Sequence, residues 1–199
     1  NSALLSSSFN AIAVGRSDGG HATGTTVVGL APYDAVYTAG RAKPDLVAPS
    51  SVTSLATPMV SAAAALLVQL GSGNSALSTD PVSKFTTNRQ TNTVWNAERV
   101  EVVRAALMAG ALRSTTGNVA APDITDYRAT VGNQTSNGLD RRFGAGQLNI
   151  ANSYHIIAAA EKNSLQDSSA GGGQAGLRGF DYDPRFGGAT GTNNDTATY

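Results

Sequence analysis

The sequence predicts an α/β layered domain, in which short buried strands are followed by helices. Residues 11–14 form an apolar run that ends at Gly15, and residues 46–48 form another that ends at Pro49. Short apolar runs closed by glycine or proline are typical of buried strands. The alanine-rich stretch at residues 54–70 is instead long enough to be a helix.

The first half of the chain supplies the strands and the strongest helix. Residues 27–28 and 36–37 are weaker strand candidates. The predicted helix at 54–70 contains Pro58 in its early part, and we expect Gly71 to end it. Its run of four alanines would let neighbouring elements approach closely, so we expect it to be buried on most sides.

The second half adds two shorter predicted helices. Residues 71–93 are polar and rich in turn formers, so we expect a surface loop there. Asn96 is a candidate cap for a helix that runs to Leu112, in which apolar residues recur at helical spacing. A polar excursion follows, and residues 150–162 form the third predicted helix.

From residue 164 the composition shifts to Gly, Asn, Ser and Thr. We therefore divide the chain into a body at residues 1–163 and a tail at 164–199 that packs on it or extends from it. Phe180, Tyr182 and Phe186 are the residues that could anchor this tail to the body.

The composition excludes several classes of function. The 199 residues include no cysteine, which excludes disulfides, thiolate chemistry and cysteine-based zinc sites. The formal net charge is zero, and Lys and Arg do not cluster, so we expect no nucleic-acid partner. The apolar run at residues 56–70 is interrupted by polar residues and is short for a bilayer, so we predict no membrane span.

Ser54 is the candidate nucleophile, because it lies at the start of the predicted alanine-rich helix. The first N–H groups of a helix have no intrahelical acceptor, and the helix dipole is positive there. Both features stabilise an oxyanion that forms beside a serine in this position.

Four segments in order resemble the subtilase (subtilisin-like) serine peptidases. They are Asn-Ala-Ile-Ala-Val-Gly at 10–15, Lys-Pro-Asp-Leu-Val-Ala-Pro at 43–49, Thr-Ser-Leu-Ala-Thr-Pro at 53–58, and Phe-Gly-Ala-Gly-Gln-Leu-Asn at 143–149. The resemblance implies a three-layer fold with a mostly parallel sheet, of which residues 1–163 would be the C-terminal part. It also implies a serine hydrolase, most simply an endopeptidase that acts on polypeptides through an acyl-enzyme at Ser54.

The resemblance also implies which other groups complete the site. The Ser54 N–H would be one oxyanion donor, and Asn1 is the candidate for the asparagine that supplies the second. The Asp and His of the triad lie upstream in the family, so we expect them from an N-terminal segment of the same protein that associates with this chain. The resemblance suggests secretion, to the extracellular space or the periplasm.

The two histidines of the chain are weak candidates for the missing base. His21 follows two glycines in a turn, and it could serve Ser54 in a rewired site with Asp18 or Asp45 orienting it. The simpler interpretation of His21 is a solvent-exposed loop residue. His155 is better explained as a residue on the flank of the third helix, and Asp45 as a residue that orients a loop or caps an element.

Three departures from the family pattern leave alternatives open. Val52 stands where the family usually has glycine, Met59 stands where it usually has histidine, and only residues 50–52 separate Pro49 from the nucleophile motif. A non-catalytic subtilase-like binding or scaffold domain therefore remains an alternative, as does an esterase-type hydrolase that uses Ser54 with His21. We expect no required cofactor. Structural calcium is common in the family, but no clustered Asp/Glu loop indicates it here.

Overall fold

A computed structural model describes residues 11–22, 44–81, 83–113, 115, 139–140, 143–162 and 178–183. The weak strand candidates at 27–28 and 36–37 lie outside these ranges, as does Phe186. The chain forms two compact units, Asn1–Ala63 with Leu107–Ile150, and Ala64–Ala106 with Ala151–Tyr199. The predicted boundary at residue 163 stays a prediction.

The first unit contains a parallel pair of strands, β1 (Val14–Arg16) and β2 (Leu46–Ala48). On β2, Val47 also bridges in parallel to Gln147, which in turn bridges antiparallel to Leu112. The mixed α/β class and the parallel pairing are therefore confirmed. The position of β2 agrees with the prediction, whereas β1 begins at the last residue of the predicted run and extends past Gly15.

The start of β2 is held by backbone contacts to two other segments. The Asp45 N–H donates to the Ala13 carbonyl at 2.8 Å, and the Asp45 carbonyl accepts from the Ala145 N–H at 2.8 Å. Gly144 has φ of +59°, and a Cβ there would lie 2.3 Å from the Pro44 carbonyl oxygen. Glycine is required at this point because the two backbones meet without room for a side chain.

Helix α1 (Thr53–Gly71) is close to the predicted helix in its bounds but not in its burial. Only one face is covered, because the buried residues fall on a single helical stripe: Ala56, Val60, Ala63 and Leu67. Leu55 and Leu66 are each 58% exposed, and Met59 is 43% exposed. The expectation of burial on most sides was wrong. The alanine run lies partly in solvent.

The length and composition of α1 would also allow it to cross a membrane, since it has 19 residues and contains an 18-residue window with a mean hydropathy of 1.5. It is thus longer than the apolar run that the sequence indicated. Core helices of soluble proteins pass the same test, so this property does not assign α1 to a membrane.

The second unit includes most of the remaining elements. A 3-10 turn (Ser75–Leu77) precedes the antiparallel strands β3 (Phe85–Thr87) and β4 (Thr93–Trp95). A second 3-10 turn (Asn96–Glu98) then leads to α2 (Val100–Ala109). The surface loop predicted at 71–93 was therefore wrong in part, because β3 lies within it.

Helix α3 (Ile150–Ala158) begins where the sequence predicts and ends four residues earlier. Ala160, beyond its end, has a positive φ of 64° and terminates the helical backbone. The tail then returns to this point, since Lys162 N–H donates to the Phe180 carbonyl at 2.6 Å. Phe180 is buried, and the Arg99 guanidinium lies 4.3 Å from the centre of the Tyr182 ring. The predicted anchoring of the tail by Phe180 and Tyr182 is confirmed.

Asn96 does not cap α2 as predicted. Its side-chain amide donates to the Glu161 carboxylate at 2.8 Å and to the Ser83 carbonyl at 2.8 Å. The helix consequently begins four residues later, at Val100. A buried tertiary contact with Glu161, which is 65 residues away, outweighs the local capping preference.

Candidate active site

Ser54 lies in the first turn of α1, six residues after β2 ends. The Val52 carbonyl accepts hydrogen bonds from the N–H groups of Leu55 and Ala56, at 3.1 and 3.2 Å. Val52 is therefore the N-cap, and Ser54 is the second residue of the helix. Ser54 is exposed to solvent.

Neither the N–H nor the carbonyl of Ser54 has a hydrogen-bond partner within helix α1. Its N–H belongs to the first turn, where a helix provides no acceptor. Its carbonyl would normally accept from residue 58, but Pro58 has no N–H. The Ser54 N–H and carbonyl therefore have no partner within the helix.

Val52 enters the helix without backbone strain. Its N–H donates to the Ser50 hydroxyl at 3.2 Å, which shapes the short approach to the helix. Among the described non-glycine residues, only Thr91 and Ala160 have a positive φ. The approach therefore does not need the conformation that favours glycine, which explains how a β-branched residue fits here.

No base accompanies Ser54 in the described part of the chain: no histidine or carboxylate there hydrogen-bonds to its hydroxyl. Asn1, the candidate second oxyanion donor, lies outside the described residues. The described residues thus place an exposed serine in the first turn of α1 without a histidine or carboxylate bonded to it.

His21 and Ser54 follow the carboxyl ends of two adjacent parallel strands, β1 and β2. His21 is nevertheless only 4% exposed, so the expected solvent-exposed loop was wrong. Its Nδ1 accepts a hydrogen bond from the Arg16 N–H at 2.9 Å. Because Nδ1 accepts this hydrogen bond, the single N–H proton of a neutral His21 lies on Nε2. Nε2 therefore cannot take up a second proton.

The other edge of the His21 ring packs against the strand. A Cβ on Gly15 would lie 2.7 Å from both Cε1 and Nε2 of this ring. Gly15 therefore lies within β1 and leaves room for the His21 ring, rather than ending the strand. This packing gives His21 a structural role.

Asp18 closes the turn that precedes His21. Its carboxylate accepts from the Gly20 N–H at 2.8 Å and pairs with the Arg16 guanidinium. Burial opposes the charged form, but the two hydrogen bonds and the charges of Arg16 and His21 together outweigh burial and lower the pKa of Asp18. Asp18 therefore stabilises a turn.

Asp45 joins the beginnings of the two strands. It is 1% exposed, and its Oδ2 accepts from the Ala13 N–H at 2.7 Å. The interpretation of Asp45 as a residue that orients a loop is confirmed. His155 is exposed at the end of α3, with its ring 5.5 Å from that of Tyr154, which agrees with a helix-flank residue.

Sequence reasoning missed a buried carboxylate of the second unit, Glu161, which accepts several hydrogen bonds. Glu161 is 3% exposed, and it accepts from the N–H groups of Thr79 and Asp80 at 2.6 and 2.8 Å, as well as from Asn96. Burial raises its pKa, and the charge of Asp80 adds to that effect against the hydrogen bonds. The position of this glutamate directly after the apolar run at 156–160 was the available signal.

Among the described residues, no group of three or more His, Cys, Asp or Glu side chains could hold a metal ion. No protein-family model matches this chain, and neither a curated protein nor a solved structure matches it. The resemblance to subtilases therefore rests on the residues and motifs of the chain itself.

Proposed function

We propose that this chain is the C-terminal part of a subtilisin-like serine hydrolase, most simply an endopeptidase, with Ser54 as its nucleophile. The carrying observation is that Ser54 is exposed in the first turn of a helix that follows a buried parallel strand. Binding sites in α/β folds form beyond the carboxyl ends of parallel strands, which is where Ser54 lies.

In the proposed reaction the Ser54 hydroxyl attacks the substrate carbonyl carbon and forms an acyl-enzyme, which water then hydrolyses. The Ser54 N–H and the Asn1 side chain stabilise the oxyanion. A histidine takes the proton from Ser54 and returns it to the leaving amine, while an aspartate orients the imidazole. These two residues come from an N-terminal segment of the same protein, and the whole adopts the three-layer subtilisin-like fold.

The uncovered face of α1 supports such a segment. Leu55, Met59 and Leu66 are spaced by four and seven residues, so they share one side of the helix. Their exposure suits a surface that another segment covers. Secretion, to the extracellular space or the periplasm, is part of the same proposal.

The test is labelling with a fluorophosphonate probe of folded material that contains every segment of the native protein. Labelling should be lost in Ser54→Ala and kept in Ser61→Ala, which removes another exposed hydroxyl from the same helix. Intact-mass analysis of the same sample should find the segment that supplies the histidine and aspartate. Labelling that persists in Ser54→Ala would refute the assignment of the nucleophile.

The second candidate is a non-catalytic subtilase-like domain for binding or scaffolding. Two observations favour it, namely Val52 at the approach to the helix and the lack of a base bonded to Ser54 in the described residues. Absence of labelling in the complete, folded protein would select this candidate over the enzyme.

An esterase is the nearest catalytic variant, since ester hydrolysis uses the same acyl-enzyme and oxyanion. Turnover of an activated ester without cleavage of peptides would distinguish it. In the variant with His21 as base, His21→Ala would abolish that turnover.

A further inference from the structure

A cavity of about 510 Å³ lies in the second unit, whereas Ser54 lies in the first. Its lining comes from residues between 75 and 85, from the turn Ser75–Leu77 to the first residue of strand β3. The lining is mostly polar: it includes several hydroxyl groups, one carboxylate at Asp80 and one ammonium group at Lys84. Phe85 adds an aromatic ring that is 45% exposed.

One wall of this cavity is fixed from behind by Glu161. The carboxylate accepts from the N–H groups of Thr79 and Asp80, and the Thr79 hydroxyl donates to the Glu161 carbonyl at 3.1 Å. The Glu161 N–H also donates to the Leu77 carbonyl at 3.0 Å. The wall is therefore formed before a ligand arrives, which reduces the entropy that binding would cost.

The part of the lining that includes Ser83 and Lys84 is fixed by Asn96, which is fully buried. Its amide donates to the Ser83 carbonyl at 2.8 Å, and its N–H donates to the Lys84 carbonyl at 3.1 Å. The Phe85 ring is supported by an edge-to-face contact with Trp95, with 5.4 Å between the centres of the rings. The backbones that carry Lys84 and Phe85 are thus held in place, while their side chains reach solvent.

The chemistry of the lining selects the class of ligand. The single positive and single negative side chain cancel, and the buried Glu161 behind the wall makes an anion unfavourable. Hydroxyl groups such as those of Ser75 and Ser83 both donate and accept hydrogen bonds. An exposed aromatic ring offers a surface for C–H groups. A ligand with many hydroxyls, no charge and one apolar face matches all of these.

We propose that this cavity binds a neutral saccharide unit, with Phe85 against its apolar face and Ser83 and Lys84 bonded to its hydroxyls. The volume is within the range of small-molecule sites. The proposal is independent of the serine hydrolase activity, because it uses no residue of that site.

The test is saturation-transfer NMR on the full chain with the methyl glycosides of glucose, galactose and mannose. Tetrahydropyran is the matched probe without hydroxyls, and cyclohexylammonium and cyclohexanecarboxylate are the charged probes. At least one methyl glycoside should receive transfer and exceed all three control probes. Absence of transfer to every glycoside, or stronger transfer to a control probe, would overturn the proposal.

Variants localise the binding to the cavity. Phe85→Ala should weaken it about 3- to 10-fold, and Ser83→Ala about 2- to 10-fold, while the backbone hydrogen bonds of Ser83 remain. Tyr154→Ala is the matched control, because this aromatic residue is 47% exposed and does not line the cavity. Circular dichroism should be the same for all three variants. Equal affinity in Ser83→Ala, Phe85→Ala and the unchanged protein would refute the proposed site.

Discussion

Replacement of Glu161 by alanine tests the hydrogen-bond network of the second unit. The change removes the acceptor of three donors, the N–H groups of Thr79 and Asp80 and the amide of Asn96. Thr79 is exposed, so water can replace its partner. Asp80 and Asn96 are 2% and 0% exposed, so each of their donors loses about 1–3 kcal/mol when the acceptor is removed.

An opposing effect reduces this sum. The carboxylate is itself destabilised by burial and by the charge of Asp80, as its raised pKa indicates. Alanine removes that cost. We therefore expect a net loss of about 2–3 kcal/mol in the free energy of unfolding, a large part of the roughly 5–15 kcal/mol of a typical domain.

Urea unfolding measures this loss, followed by circular dichroism and by fluorescence of Trp95, the single tryptophan of the chain. Trp95 lies in the second unit, so its emission reports on the same region. Glu101→Ala is the matched control, since this exposed glutamate should change stability by only about 0.5 kcal/mol. A Glu161→Ala protein as stable as Glu101→Ala would refute the role given to the network.

Three further predictions follow from the same contacts. Burial raises the pKa of Glu161 above its ordinary 4.5, so its contribution to stability is greatest below pH 4.5 and is lost as the pH rises through the raised pKa. The difference in the free energy of unfolding between the unchanged protein and Glu161→Gln should therefore shrink as the pH rises. Urea titrations at a series of pH values measure this difference. His21→Ala should lower the free energy of unfolding by about 2–4 kcal/mol, because it removes a buried ring and the acceptor of the Arg16 N–H. The complete, folded protein should nevertheless keep fluorophosphonate labelling. Loss of labelling with the fold intact would make His21 the base. Gly144→Ala should lower the melting temperature far more than Gly73→Ala. A Cβ on Gly144 would meet two backbone carbonyl oxygens within 2.4 Å, whereas a Cβ on Gly73, which also has a positive φ of +75°, would meet nothing within 4 Å. Similar losses in both variants would contradict this reasoning.

The sequence alone predicted the elements whose signals are local. Strand β2, helix α1 and the start of α3 agree with the predictions within about two residues, because apolar periodicity and flanking Pro or Gly act over a few positions. Sequence reasoning also singled out Ser54, since its place at a helix start depends on its immediate neighbours. The strands β3 and β4 had a usable signal in their β-branched and aromatic residues, but the polar turn formers around them outweighed it in the prediction.

Only the tertiary structure decided the roles of residues whose partners are distant in the chain. Glu161 meets Thr79 across 82 residues, and Asp45 meets Ala13 across 32. His21 is buried although its neighbours are turn residues, because Gly15 leaves space for its ring. The exposure of α1 has the same origin, since composition predicts an apolar helix but not which of its faces finds a partner. Local preferences depend on residues a few positions apart in the sequence, whereas burial and hydrogen-bond partners depend on which distant segments the fold brings together.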